Sequence, residues 1–142
     1  MKTFVLSLLT AGILLVSCNS NQKASSTDTT TTGNTADVAI MKFDKDTHDF
    51  GKIQSGDSVI YDFKFTNTGK APLIITDAIA SCGCTKPEWP KTPVKPGENG
   101  MIHVVFNSSG KVGLQDKLIT VTANTNPPQN RVHLIGEVTL TK

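Results

Sequence analysis

Alternation of apolar and polar residues with a period of two constrains the fold of this chain more than any other feature. The clearest run covers residues 59–66, in which four large apolar side chains occupy alternate positions: Val59, Tyr61, Phe63 and Phe65. Successive side chains of a strand point to opposite faces, so this run predicts a strand with one face in the core. No stretch has a convincing period of 3.6 residues, which argues against a helical fold.

Four further segments show the same alternation or are apolar enough to form strands. They are residues 73–79, 101–106, 118–123 and 131–140. Turn-forming sequences separate these runs, among them Asn67-Thr68-Gly69, Pro96-Gly97 and Asn126-Pro127-Pro128. Short strands with turns at this spacing are typical of an antiparallel β-sandwich. Residues 39–142 have the length of one domain with a single core.

The first 18 residues have the features of a bacterial lipoprotein signal. Lys2 supplies a positive charge, residues 4–16 are predominantly apolar, and Ser17 precedes Cys18. The apolar stretch is shorter than the roughly 20 residues that cross a bilayer, so residues 1–17 are predicted to be a signal peptide. We expect cleavage before Cys18 and acylation of Cys18, as by palmitate, because more than one acyl chain gives stable membrane attachment. The alternative is a secreted protein with a coincidental cysteine at this position.

Residues 18–38 are predicted to form a flexible tether between the lipid anchor and the domain. This stretch is rich in Thr, Ser and Asn and has almost no apolar side chain to offset the entropy lost on ordering. The expected location is the cell envelope, on either the periplasmic or the surface face of a bacterial membrane. Without residues 1–17 the chain has 13 basic and 12 acidic residues. It therefore lacks the basic stripe of a nucleic-acid-binding protein.

Cys82 and Cys84 form the main candidate site. On an extended strand their side chains would share a face and their Cα atoms would lie roughly 6.6 Å apart, near the upper limit for a disulfide. Gly83 permits a bend that would bring them closer, and an oxidising compartment favours the bridge. A strained bridge would be readily reduced and therefore redox-active. Two thiolates would instead suit copper or zinc. The third interpretation is two small buried side chains.

The remaining candidate residues are dispersed along the chain. Zinc would require two further ligands, and the available soft candidates are His48, His103, His133 and Met101. His103 and His133 lie opposite the apolar faces of their strands, so we expect both to be exposed, and close together if their strands pair. Trp89 follows the cysteine pair in a proline-rich segment. It is interpreted either as an exposed partner-binding anchor or, as we favour, as a lid over one end of the sandwich.

Several short motifs occur in an order that resembles a known bacterial family, domain of unknown function 1573. They are residues 48–53, Gly56, residues 63–69, Pro72-Leu73, Ser81-Cys82-Gly83-Cys84-Thr85, Pro96-Gly97-Glu98 and residues 134–138. This family is similar to immunoglobulin-like domains of the major-sperm-protein and ciliary types. The resemblance implies an immunoglobulin-like sandwich of seven to eight strands. It implies no activity, because fold alone does not determine function.

The sequence therefore predicts an all-β, immunoglobulin-like, antiparallel sandwich preceded by a signal peptide and a disordered tether. The expected function is that of a non-catalytic envelope lipoprotein that binds another envelope protein or serves as a structural module, without a cofactor. The alternative is a metal-binding or thiol-redox protein that acts through Cys82 and Cys84. The two hypotheses differ in one test: replacing both cysteines with serine should abolish the redox or metal function and leave a partner complex intact.

Overall fold

A computed structural model of the protein describes residues 37–140, which form eight strands. The strands are β1 (Met41–Phe43), β2 (Thr47–Gln54), β3 (Ser58–Asn67), β4 (Ile75–Ala80), β5 (Thr85–Glu88), β6 (Asn99–Asn107), β7 (Gly113–Ala123) and β8 (Gln129–Thr139). Within these residues there is no helix long and apolar enough to cross a membrane. The predicted signal peptide, Cys18 and nearly all of the predicted tether lie outside the described residues.

The strands pair into two four-stranded sheets, as the sandwich prediction requires. The first has the order β1-β3-β6-β5 and the second the order β2-β8-β7-β4. All pairings are antiparallel except that of β2 with β8, which is parallel. A tight hairpin joins only antiparallel strands. The parallel pair arises because the chain crosses from the first sheet to the second between β1 and β2 and meets β8 much later in the sequence.

The core lies between the two sheets and confirms the alternation read from the sequence. Phe63 and Phe65 of β3 are buried, and Val59 and Tyr61 of the same strand are half-buried. The other fully buried side chains include Leu73, Ile102, Val104, Phe106, Ile119, Val121, Val132 and Leu134. Leu140 continues the alternation of β8 in the sequence, but it is 71% exposed because the strand ends at Thr139.

Several strands differ from the sequence-based prediction. The predicted strand 73–79 begins later, because Leu73 forms an isolated bridge with Val94 and β4 starts at Ile75. Strands β1, β2 and β5 were not predicted as strands; in β5, Pro87 interrupts the alternating pattern. A proline lacks a backbone donor and is tolerated on an edge strand, and β5 lies at the edge of the first sheet.

The sandwich has two ends, which carry different loops. The entry end, where the described chain begins, comprises residues 37–40, 67–74, 94–98 and 124–128; a bridge joins Ala39 to Thr125 there. The distal end comprises residues 55–57, 81–84, 108–114 and 139–140. Strands β2, β4, β6 and β8 run toward the distal end, and β3, β5 and β7 run away from it.

Candidate functional site

Cys82 and Cys84 lie at the distal end, in the turn through which the chain passes from β4 of the second sheet to β5 of the first. A disulfide joins them, and their Cα atoms are 5.3 Å apart. Two backbone hydrogen bonds fix the turn: the Ser81 N–H donates to the Leu118 carbonyl (2.9 Å), and the Asn107 N–H donates to the Cys84 carbonyl (2.9 Å). The turn is therefore attached to both sheets.

Thr85 is the polar neighbour of the disulfide. Its side chain is buried, and its Oγ1 lies 3.6 Å from the Cys82 Sγ and 3.9 Å from the Cys84 Sγ. A disulfide sulfur carries no proton and is a weak acceptor, so the Thr85 hydroxyl is the donor. The buried hydroxyl is therefore in contact with a half-buried disulfide at the start of β5.

A groove of about 440 Å³ opens beside Cys84. It is lined by Ser58, Gly83, Cys84, Lys86, Val105, Asn107, Ser109 and Lys111. Its charged members are Lys86, two residues after Cys84 on the same side of the chain, and Lys111, from the loop after β6. Within residues 37–140 neither lysine forms an ion pair. Two unpaired ammonium groups make this groove attractive to anions.

Lys117 adds positive charge between the sheets near the distal end. Its Nζ donates to the Gln115 Oε1 (2.9 Å) and lies 5.1 Å from the centroid of the Phe106 ring. Burial lowers the pKa of Lys117; the charge of Lys111 lowers it further, and Asp116 opposes both. The distal end thus combines several cationic side chains in a small volume.

Two acidic side chains on the outer face of the second sheet, Asp116 and Glu137, each contact a nitrogen of a basic residue. The Asp116 Oδ1 lies 2.8 Å from the Nδ1 of His133, and the Glu137 Oε2 lies 2.9 Å from the Nζ of Lys52. These four residues come from three adjacent strands, β2, β7 and β8. Both carboxylates therefore have their partners within the second sheet rather than at the groove.

The distal end also exposes large apolar side chains. The exposed fractions are 87% for Leu114, 71% for Leu140 and 56% for Val112. These three side chains are more exposed than the large apolar side chains of the entry end, Val38, Ile40 and Ile74, whose exposed fractions are 37–47%. The distal end therefore combines a disulfide, an anion-attracting groove and uncovered apolar surface.

His103 and His133, predicted to be exposed, lie on the outer faces of different sheets. The Nδ1 of His103 is 2.6 Å from the Oδ1 of Asp62, and His133 pairs with Asp116 as described above. Both imidazoles are partly exposed. Their strands, β6 and β8, do not pair, so the proximity considered from the sequence does not occur. Each histidine instead has one aspartate partner.

His48 and Met101 are likewise apart from the cysteines. The His48 ring stacks on Tyr61 with centroids 3.6 Å apart. Burial lowers the pKa of His48; Asp49 opposes this shift and Lys45 adds to it. Met101 is 48% exposed on the outer face of the first sheet. Across residues 37–140, no group of three or more His, Cys, Asp or Glu side chains is arranged to hold a metal ion.

Trp89 is half-buried and packs against the core. Strand β5 separates it from the disulfide, because four extended residues span roughly 13 Å. The Lys91 Nζ lies 3.1 Å from the centroid of its ring, a cation–π contact. The indole therefore covers the edge of the first sheet, away from the groove beside Cys84.

Three residues of this site were not identified from the sequence. Thr85 and Lys86 lie within two positions of Cys84, so their proximity was a readable signal. Lys111 is distant in sequence and reaches the groove only because β5 pairs with β6. No sequence pattern connects it to the cysteines.

Comparison with known proteins identifies the family and the fold. Residues 41–138 match the family described as "Protein of unknown function (DUF1573)". No curated protein has a significant sequence match to this chain.

Solved structures share the fold at low sequence identity. A protein of unknown function from Porphyromonas gingivalis W83 aligns with a TM-score of 0.62 and 18% identity, over 72% of this chain and 48% of that one. The PapD-like domain 7 (ASH) of human CEP192 aligns with a TM-score of 0.55 and 9% identity, over 74% of this chain and 89% of that one. The secreted serine protease VesC from Vibrio cholerae aligns with a TM-score of 0.56 and 12% identity, over 69% of this chain and 23% of that one.

The structural matches establish the fold, and the family match establishes the family. It spans about half the length of the Porphyromonas protein, and at these identities the likeness concerns the fold alone. The PapD-like neighbour confirms the predicted immunoglobulin-like sandwich. Because the family match extends over most of the chain and confirms the resemblance carried by its motifs, this protein belongs to the DUF1573 family.

Proposed function

We propose that this protein is a lipoprotein of the bacterial envelope that binds another envelope protein through the distal end of its immunoglobulin-like domain. The observation that carries the proposal is the exposure of Val112, Leu114 and Leu140 at the end opposite the point where the chain enters the domain. Apolar surface of this kind is stabilised when a partner removes it from water.

The position of the chain entry supports this arrangement. Lipidation of Cys18 would attach the protein to the membrane, and residues 18–38 would join the anchor to the entry end. A flexible tether of about 20 residues has a root-mean-square span of roughly 25 Å. The distal end is then the part of the domain farthest from its attachment point and is available to a partner.

A binding function suits the chemistry of the described surface. Each of His103 and His133 is held by one aspartate on an exposed sheet face, rather than between a nucleophile and an orienting group. The likeness to VesC covers 23% of that protease and concerns fold alone, so no proteolytic activity is carried over. The exposed apolar side chains favour recognition of a protein.

Site-specific photo-crosslinking in intact cells tests the binding surface. A photo-reactive amino acid at Leu114 should give one discrete adduct with an envelope protein. The matched control places the same amino acid at Ile74, which is 47% exposed at the entry end. We expect no adduct there. Equal adducts at both positions, or none at Leu114, would refute the distal end as the binding surface.

Metabolic labelling with a palmitate analogue tests the anchor separately. The native chain should be labelled and recovered with membranes. The Cys18→Ser variant should be unlabelled and released from them. Retention of the label in that variant would show that Cys18 is not the site of acylation.

A further inference from the structure

We propose that Cys82–Cys84 is a thiol–disulfide exchange site, which accepts in the adjacent groove the thiolate of a cysteine flanked by carboxylates. The proposal concerns a chemical activity and does not depend on partner binding by the apolar side chains of the distal end. It rests on the groove, on Thr85 and on the two unpaired lysines.

Stabilisation of the fold is a weak explanation for this bridge. The chain-entropy contribution of a disulfide decreases with the length of the loop that it closes. Cys82 and Cys84 are two positions apart, so the loop is very short. Cys84 is also half-buried and lines an open groove, which a second molecule can enter.

The groove determines which sulfur is attacked. Cys84 lines it and Cys82 does not. An incoming thiolate forms a bond to the Cys84 Sγ while the Cys82–Cys84 bond breaks, and the electron pair of that bond leaves on the Cys82 Sγ as a thiolate. The product is a mixed disulfide on Cys84.

A second thiol of the same partner completes the reaction. Its thiolate attacks the partner's sulfur in the mixed disulfide, which forms a partner disulfide and releases the Cys84 thiolate. Two partner thiols are thereby oxidised by two electrons, and Cys82–Cys84 is reduced to two thiols. The two protons lost by the partner's thiols are taken up by Cys82 and Cys84, so atoms and electrons balance.

Thr85 is placed to assist departure of the Cys82 thiolate. Its buried Oγ1 lies 3.6 Å from the Cys82 Sγ. A hydrogen bond to a charged acceptor is stronger than one to a neutral acceptor, so this bond strengthens as charge develops on Cys82. Stabilisation of the leaving thiolate accelerates exchange.

Lys86 and Lys111 select the incoming thiol. Both lysines line the groove and lack ion-pair partners within residues 37–140. They raise the local concentration of an anionic thiol and lower that of a cationic one. The expected substrate is a thiolate next to carboxylates, and it can belong to a small acidic peptide or to an acidic segment of a protein.

A charge series of small thiols tests the selection. The full chain carrying Cys18→Ser, which leaves Cys82 and Cys84 as its only cysteines, is reduced by glutathione, 2-mercaptoethanol or cysteamine. Each rate is divided by that of the same thiol with a neutral model disulfide, which corrects for nucleophilicity. At low ionic strength we expect glutathione to exceed cysteamine by roughly tenfold.

Two matched double variants make this result specific. Lys86→Gln/Lys111→Gln should abolish the preference for glutathione over cysteamine. Lys42→Gln/Lys70→Gln removes the same charge elsewhere and should preserve that preference. Lys42 lies on β1, at the opposite edge of the first sheet from β5. The proposed selection of anionic thiols would be overturned by equal normalised rates for the three thiols in the parent chain. It would also be overturned if glutathione still reacted faster than cysteamine after loss of Lys86 and Lys111.

Thr85→Val and product mapping test the chemical step. The variant should react about tenfold more slowly with every thiol, since it lacks a hydrogen bond to a charged group, and circular dichroism should show the same fold. The reaction with glutathione is quenched with a thiol-alkylating reagent, which traps the mixed disulfide. Tandem mass spectrometry should then place glutathione on Cys84 and the alkyl group on Cys82. An unchanged rate, or glutathione on both residues equally, would overturn the assigned step.

A synthetic peptide with two cysteines among acidic residues distinguishes the sources of the thiol. Faster reduction by this peptide than by glutathione, at equal thiolate concentration, assigns the site to a protein substrate; slower reduction assigns it to a small thiol. No reaction with either overturns the proposal. Cys82→Ser/Cys84→Ser should lose exchange and retain the crosslink at Leu114, so the two proposed activities can fail separately.

Discussion

Each end of the sandwich contains one buried polar side chain that joins its loops by hydrogen bonds, but the two ends differ in the exposure of their large apolar side chains. At the entry end, Asn67 joins the turn after β3 to the segment before β6. At the distal end, the Ser108 hydroxyl contacts the Gln54 and Asp57 carbonyls and accepts the Gly56 N–H, while apolar side chains near the disulfide and the groove face solvent. The greater apolar exposure makes the distal end the more favourable surface for interaction.

Asn67 explains why the entry end is closed. Its side chain is fully buried; Nδ2 donates to the carbonyls of Ala71 (2.8 Å) and Val94 (2.9 Å), and Oδ1 accepts the Gly69 N–H (3.0 Å). These bonds connect the turn after β3 with the segment before β6. Because every polar atom of the amide has a partner, its burial is not penalised.

The exposed fractions of the large apolar side chains differ between the two ends. At the entry end the exposed fractions are 37% for Val38, 47% for Ile40 and 47% for Ile74. The corresponding side chains of the distal end range from 56% to 87%. Three predictions test this contrast and one concerns His48 of β2; they run from the largest expected effect on stability to the smallest.

Asn67→Ala should destabilise the fold by about 3 kcal/mol or more, because it leaves buried backbone groups without partners. Urea denaturation measures this change. The control is Asn124→Ala, whose exposed side chain donates to the Pro72 carbonyl (3.0 Å) and accepts the Ile74 N–H (2.8 Å). Water can replace those bonds, so about 1 kcal/mol is expected. Equal losses would contradict a special function of Asn67.

Cys82→Ser/Cys84→Ser should cost only about 1–2 kcal/mol, as the chain-entropy relation predicts for so short a loop. Hydrogen exchange should become faster at the distal end and remain unchanged for the Gly69 amide at the entry end. Loss of protection at both ends would mean that the disulfide supports the whole domain, and the contrast between the ends would be lost.

His48 should give a small dependence of stability on pH. Burial is the main cause of its lowered pKa, so folding favours the neutral imidazole. The unfolded chain therefore binds more protons, and the free energy of unfolding should fall as pH decreases from about 6.5 through the folded-state pKa. His48→Gln should remove this component from urea curves measured at about pH 7.5 and 5. An unchanged pH dependence would exclude His48 as its source.

Leu114→Lys should have the smallest effect on stability, within about 0.5 kcal/mol, because its side chain is 87% exposed. It should nevertheless abolish the adduct formed by a photo-reactive amino acid at Val112. The comparison variant, Ile74→Lys at the entry end, should preserve that adduct. If the adduct persists in Leu114→Lys, the apolar surface around Leu114 is not part of the binding site.

Most of the fold was predictable, and much less of the site. The burial of Phe63, Phe65 and Phe106 follows from the alternation along each strand. The parallel pairing of β2 with β8 does not, because it joins segments far apart in the sequence. The same limit applies to His103 and His133, whose positions on separate sheets depend on strand order.

The sequence by itself determined the period and the core-facing side of the strands at residues 59–66, 101–106 and 131–140, together with the family motifs, because these are properties of neighbouring residues. Only the tertiary structure brought Lys111 to the groove beside Cys84 and left Leu114 uncovered at the distal end. Contacts between distant residues depend on strand order and register, which must satisfy the whole core at once. Local alternation is compatible with many such arrangements, so it specifies the kind of domain without specifying which side chains meet at its ends.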